Sequence, residues 1–130
     1  MKRRVILDTS ILLLLYEGVR VFDDIEEVLE AHPECVVPRH VINELEKLAD
    51  SKRAHKRKAA RLALDVVAKR CRVVDVREAE NTDDAIIKLA LIDADAIVAT
   101  ADNELRRRLR ELGKPNIYYR RSRHGLMLEF

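Results

Sequence analysis

Five carboxylic acids stand where short apolar runs end or where helices begin. Asp8 follows Val5-Ile6-Leu7, and Glu44 lies one turn beyond Val36-Val37-Pro38. Asp83 and Asp84 open the segment TDDAIIKLA, and Asp102 follows IVAT by two residues. Singly, most have an ordinary role. Asp8, Thr9 or Ser10 can cap a following helix, as can Asp102, and Asp83 and Asp84 suit the first turn of a helix capped by Asn81 or Thr82. Glu44 differs, because on a helix it shares a face with Val41 and Leu48 and is flanked by Ile42, Leu45 and Ala49. A carboxylate inside an apolar stripe needs a partner, and Lys47 is the nearest base on that helix. Jointly, acids converging at one end of a sheet repel one another, and no Arg or Lys stands beside them in these segments. A divalent cation is the natural counter-charge. Oxygen-only ligands suit Mg²⁺ or Mn²⁺ rather than Zn²⁺, and a metal on one or two carboxylates with its waters retained is the arrangement of phosphoryl-transfer sites.

The elements that must position these acids alternate along the chain. Strands are expected at 4–7, 35–37, 72–76, 96–99 and 116–119, and helices at 10–16, 20–31, 39–50, 54–70, 82–93 and 103–112. The last helix has the clearest stripe, Leu105, Leu109 and Leu112, and stops at Gly113 and Pro115. Alternation of this kind predicts a parallel sheet with helices on both faces, where ligands bind beyond the strands' carboxyl ends at the topological switch point. Receiver domains also join acids to a parallel sheet, but they carry their adjacent acid pair after the first strand. Here the pair is Asp83-Asp84, ahead of the fourth.

The 130 residues suit one domain over 1–130, and a hydrophobic fraction of 48% is enough for a core. Only three Gly and three Pro argue against disorder and against a turn-rich all-β fold. Charged residues reach 37%, above the usual quarter, which fits a thermophilic protein with surface ion pairs. The net charge of +2 hides two basic tracts. One holds Lys52, Arg53, Lys56, Arg57, Lys58 and Arg61; the other runs from Arg106 to Arg123. Such tracts read either as a polyanion surface or as helix faces laced with ion pairs. Cys35 and Cys71 lack metal-ligand spacing and are expected to be unlinked, buried, small apolar residues. The run Ile11–Leu15 is too short to span a bilayer, so a cytoplasmic protein without membrane partners is expected.

Four segments together, VILDTSIL, VPRHVINELEKL, TDDAIIKLA and IVATADNELRRRLR before NIYY, resemble the PIN-domain ribonucleases in order and spacing. The resemblance covers essentially the whole chain. It implies a three-layer α/β/α sandwich with a central, mainly parallel sheet, here of five strands. It also implies metal-dependent cleavage of RNA by clustered acids. Asp8 matches the first acid of the family, Glu44 the second and Asp102 the fourth. Asp84 matches the third because it directly precedes an apolar helix, while Asp83 stays open as the ligand in its place. Ser10 and Thr100 fall where members carry groups that orient acids or water.

The implied enzyme is an endoribonuclease using one or two Mg²⁺ or Mn²⁺ ions. Lys52, Arg53, Lys56 and Arg57, with Arg106, Arg107 and Arg110, would hold the RNA backbone. Within the family, NELEKL and IVATADNELRRRLRELGKPNIYY resemble the ribosomal-RNA-processing branch, which implies a ribosomal RNA precursor as partner and an archaeal source. The neighbouring branch, VapC-like toxins, implies an antitoxin partner instead. Homodimers are common in the family. A PIN-fold scaffold that binds RNA without cutting it is the non-enzymatic alternative.

Overall fold

The computed structural model describes residues 3–130. The chain opens with β1 (Arg4–Leu7), α1 (Thr9–Leu13), a 3₁₀ turn over Leu14–Glu17 and α2 (Val21–Leu29). Then come β2 (Glu34–Pro38), α3 (Arg39–Ala49), α4 (Ala54–Arg70), β3 (Cys71–Val74), α5 (Thr82–Ile92) and β4 (Ile97–Thr100). The chain ends with α6 (Asn103–Glu111), β5 (Asn116–Arg120) and β6 (Gly125–Glu129). The sheet order is β3-β2-β1-β4-β5-β6, parallel throughout except for β6, which pairs antiparallel to β5.

The sheet therefore has six strands, not the five expected. The sixth arises because a short turn over Arg121–Arg123 folds Gly125–Glu129 back along β5, closing a hairpin on an edge that would otherwise be open. The helix expected at 10–16 also ends early, at Leu13. Gly18, at φ 86, closes the turn that follows, with its N–H on the carbonyls of Leu14 and Leu15.

Two apolar layers sandwich the sheet. Ile11, Leu12, Val21, Ile25, Val41, Leu45, Ala60, Ala63 and Val67 bury one face under α1 to α4. Ile86, Ile87, Ala90, Leu105 and Leu109 bury the other under α5 and α6. Each fully buried Leu or Ile contributes roughly 1.5–3 kcal/mol relative to exposure. β1 runs between β2 and β4, and the chain crosses from one side of β1 to the other between β3 and β4. The switch point thus falls at the carboxyl ends of β1 and β4, where the Asp8 N–H donates to the Ala99 carbonyl at 3.0 Å.

The cysteines are bonded, contrary to the expectation of unlinked apolar residues. Parallel pairing of β2 with β3 sets Cys35 opposite Cys71, with their Cα atoms 4.6 Å apart, and a disulfide joins them. Strand register, which spacing in the chain does not reveal, brings them together.

Candidate active site

The site grows from the end of β1. Asp8 is 5% exposed, and its carboxylate is enclosed by donors. Its Oδ1 accepts the Thr9 N–H at 2.8 Å, and its Oδ2 accepts the Ser10 and Thr100 hydroxyls, each at 2.8 Å. Each hydroxyl has one proton to give, and both are spent on Asp8. Their lone pairs in turn accept the Ala101 N–H on Ser10 (2.9 Å) and the Asp102 N–H on Thr100 (3.0 Å). The two hydroxyls therefore tie the start of α1 to the turn after β4 through one carboxylate. Burial pushes the Asp8 carboxyl up from its ordinary value; hydrogen bonds from Thr100, Ser10 and Thr9 pull it down, and the charge of Asp102 adds to the rise.

Asp102 is the N-cap of α6, as its local pattern predicts. Its Oδ1 accepts from Glu104 N and Leu105 N at 2.8 and 3.1 Å. Capping occupies one oxygen and leaves Oδ2 without a protein donor among the described residues.

Glu44 is half-buried on α3, and its partner is the Thr82 hydroxyl, which donates to Oε1, rather than Lys47. Burial raises its pKa first, then the charges of Asp8 and Asp83; Thr9 and His40 act the other way. The Thr9 hydroxyl faces Glu44 but is buried without closing a hydrogen bond.

The adjacent acids of α5 part company. Asn81 caps the helix through Asp84 N at 2.9 Å. Asp83 is raised by burial, then by Asp8 and Asp102, with Arg108 opposing. Asp84 instead accepts from Arg108 Nη2 at 3.2 Å, an ion pair across to α6. The charges of Asp8, Asp83 and Asp102 thus act on one another, Glu44 feels those of Asp8 and Asp83, and Asp84 pairs with a base. Among the described residues, no three acids, histidines or cysteines close on one point as a ready-made metal cage. Asp93 lies at the other end of the sheet, paired with Arg4 at the start of β1.

The two basic tracts also differ. Along α6, Arg106 forms a two-pronged pair with Glu129 of β6, both bonds 2.9 Å, and stacks 3.6 Å over the Tyr118 ring. That pair holds the Glu129 carboxyl down at about 2. Arg107 pairs with Glu104 and Glu111 on its own helix, and Arg110 lies 3.9 Å from Glu129. In the tract at the start of α4, Lys52, Arg53, Lys56, Lys58 and Arg61 are exposed. Arg57 is half-buried there and donates to the Ser51 carbonyl at 3.1 Å. No acid pairs with these six among the described residues. α4 runs into β3 with no intervening loop, so its end marks the strands' amino ends. In its first turn, His55 Nε2 lies 2.6 Å from Glu17 Oε1.

Sequence reasoning did not reach Thr82 as the partner of Glu44 or Glu129 as the partner of Arg106. Both are contacts between distant segments.

A family model described as a PIN like domain matches residues 5–122. The chain is 31% identical over 124 residues to ribonuclease VapC4 of Methanocaldococcus jannaschii, covering 93% of each sequence. Its fold is similar to the PIN domain endonuclease Utp24, with a TM-score of 0.76 at 27% identity, over 97% of this chain and 90% of that one. It also resembles a domain of a functionally unknown M. jannaschii protein, with a TM-score of 0.61 at 19% identity over 91% of each, which is a likeness of fold.

Proposed function

This chain belongs to the PIN-like domain family, and from that premise we propose that it is an endoribonuclease whose acids Asp8, Glu44, Asp83 and Asp102 work with one or two Mg²⁺ or Mn²⁺ ions. The observation that carries the reading is Asp8, a carboxylate almost wholly buried at the switch point and oriented by two hydroxyls, with three further acids near enough to act on one another's protonation. Burying like charges together is costly unless something positive offsets them.

The donor set fits such an ion, being all oxygen. A closed cage is not required, because Mg²⁺ keeps most of its waters and takes one or two carboxylates directly. When bound, the ion supplies the positive charge that lets these acids ionise together and that offsets charge developing on a scissile phosphate.

The remaining chemistry belongs to the chain's own groups. Thr100 and Ser10 fix the Asp8 carboxylate in one orientation. Thr82 occupies one oxygen of Glu44, and the N-terminus of α6 occupies one oxygen of Asp102, so each keeps a second oxygen for the reaction. Asp83 takes the third acid's place, with Asp84 serving as the anchor of Arg108. Lys52, Arg53 and Lys56 hold the RNA backbone, a contact that positions without reading sequence.

The substrate we assign is a ribosomal RNA precursor, on the strength of the NELEKL and IVATADNELRRRLR segments. A second reading, a toxin ribonuclease held by an antitoxin, is favoured by the likeness to VapC4. A small protein that co-purifies and silences cleavage would select it. Cleavage of labelled RNA by the parent and by Asp8→Asn, with Mn²⁺ and with EDTA, tests the nuclease reading itself.

A further inference from the structure

We infer that His40 is a positioning residue for the acid site, an inference that rests on the nuclease reading above. His40 lies on α3 one turn before Glu44, on the same face. Its Nε2 is 2.9 Å from the Ala79 carbonyl. A carbonyl only accepts, so Nε2 carries the proton and donates. Its Nδ1 is buried with no partner. An unpartnered buried nitrogen costs stability, so the side chain is not placed there to strengthen α3.

What it does is hold the loop between β3 and α5. The same loop is gripped from the other side by Lys88, whose Nζ donates to the Arg77 and Glu78 carbonyls at 2.8 and 3.3 Å. Glu78 adopts φ 58, a left-handed conformation that a glutamate keeps only when its surroundings impose it. Immediately after the His40 contact come Asn81, which caps α5, Thr82, which donates to Glu44, and Asp83. His40 and Glu44 thus reach from one helix to points three residues apart on the segment that leads from β3 into α5. The first contact sets the spacing at which the second, and Asp83 beside it, can form.

The test uses His40→Phe, which keeps a ring but loses the donor, and His40→Gln, which keeps a donor. Hydrogen exchange of the metal-free protein is read at the Asp84 and Ala85 amides, both bonded to Asn81. Steady-state RNA cleavage is read alongside. His40→Phe is expected to exchange about tenfold faster there while the core amides keep their protection. Its kcat is expected to fall on the order of tenfold with KM for RNA unchanged, since misplacement affects chemistry more than binding. His40→Gln should restore both. Exchange and kcat equal to the parent's in His40→Phe would overturn the inference, as would a fully folded His40→Gln that restores neither. Exchange is read without metal or RNA, so it judges His40 even if the parent cuts nothing. A parent that cuts no RNA would count against the nuclease reading alone.

Discussion

The Thr100 hydroxyl donates to Asp8 Oδ2 at 2.8 Å, across the neighbouring strands β4 and β1. Thr100 is fully buried and Asp8 nearly so, and the same hydroxyl accepts the Asp102 N–H. One threonine therefore fixes both the first and the last acid of the site, and the chemistry proposed depends on that geometry being rigid.

The adjacent acids of α5 separate cleanly by mutation. Asp83→Asn should lower RNA cleavage at least 100-fold, the order expected when a group stabilising the transition state is removed. Asp84→Asn should lower it only a few-fold, by releasing Arg108. Cleavage rates at saturating Mn²⁺ measure this, and the reverse order would return the third place to Asp84.

Two carboxyls give the metal-free protein opposite pH dependences. Asp8 binds its proton more tightly folded than unfolded, so its contribution is fully present below about 3.8 and is lost as pH rises through its raised value. Glu129 is held at about 2 against 4.5 unfolded, so its contribution is present above 4.5 and is lost as pH falls toward 2. In EDTA at pH 7, Asp8→Asn should raise Tm. Glu129→Gln should lower Tm at pH 7 and by much less at pH 2. Thermal melts across pH read both.

The disulfide closes a loop of 36 residues that contains α3 and α4, and with them Glu44 and the basic tract. Chain-entropy arguments give it about 4 kcal/mol. A reductant, or Cys71→Ser, should lower Tm by on the order of 10 °C. No change in the melt would show the bond to be without weight.

RNA binding should depend on the α4 tract rather than on α6. Replacing Lys52, Arg53 and Lys56 together should weaken binding and flatten its salt dependence, by about 0.7 in log–log slope for each phosphate no longer neutralised. Arg107→Ala, which breaks only pairs within α6, should leave that slope unchanged. Filter binding over a salt series decides it.

Much of the fold is legible in the sequence. Asp8 and Asp102 stand out because each follows a short β-branched run, and Glu44 because it lies within an apolar stripe. The pairing of Asp84 with Arg108 is not legible, since adjacent helical positions differ by about 100° and the base comes from another helix. The Arg106–Glu129 pair is not legible either, because the two residues stand 23 positions apart and only the fold-back of β6 along β5 brings them together. The disulfide depends on register between β2 and β3, which local pattern does not contain.

The central claim is tested most directly by cleavage of an end-labelled single-stranded RNA by the purified protein, parent against Asp8→Asn, with Mn²⁺ and with EDTA. The predicted result is cuts within the RNA by the parent in Mn²⁺, none in EDTA, and none by Asp8→Asn in either. Cleavage by Asp8→Asn at the parent's rate, or by the parent undiminished in EDTA, would contradict it.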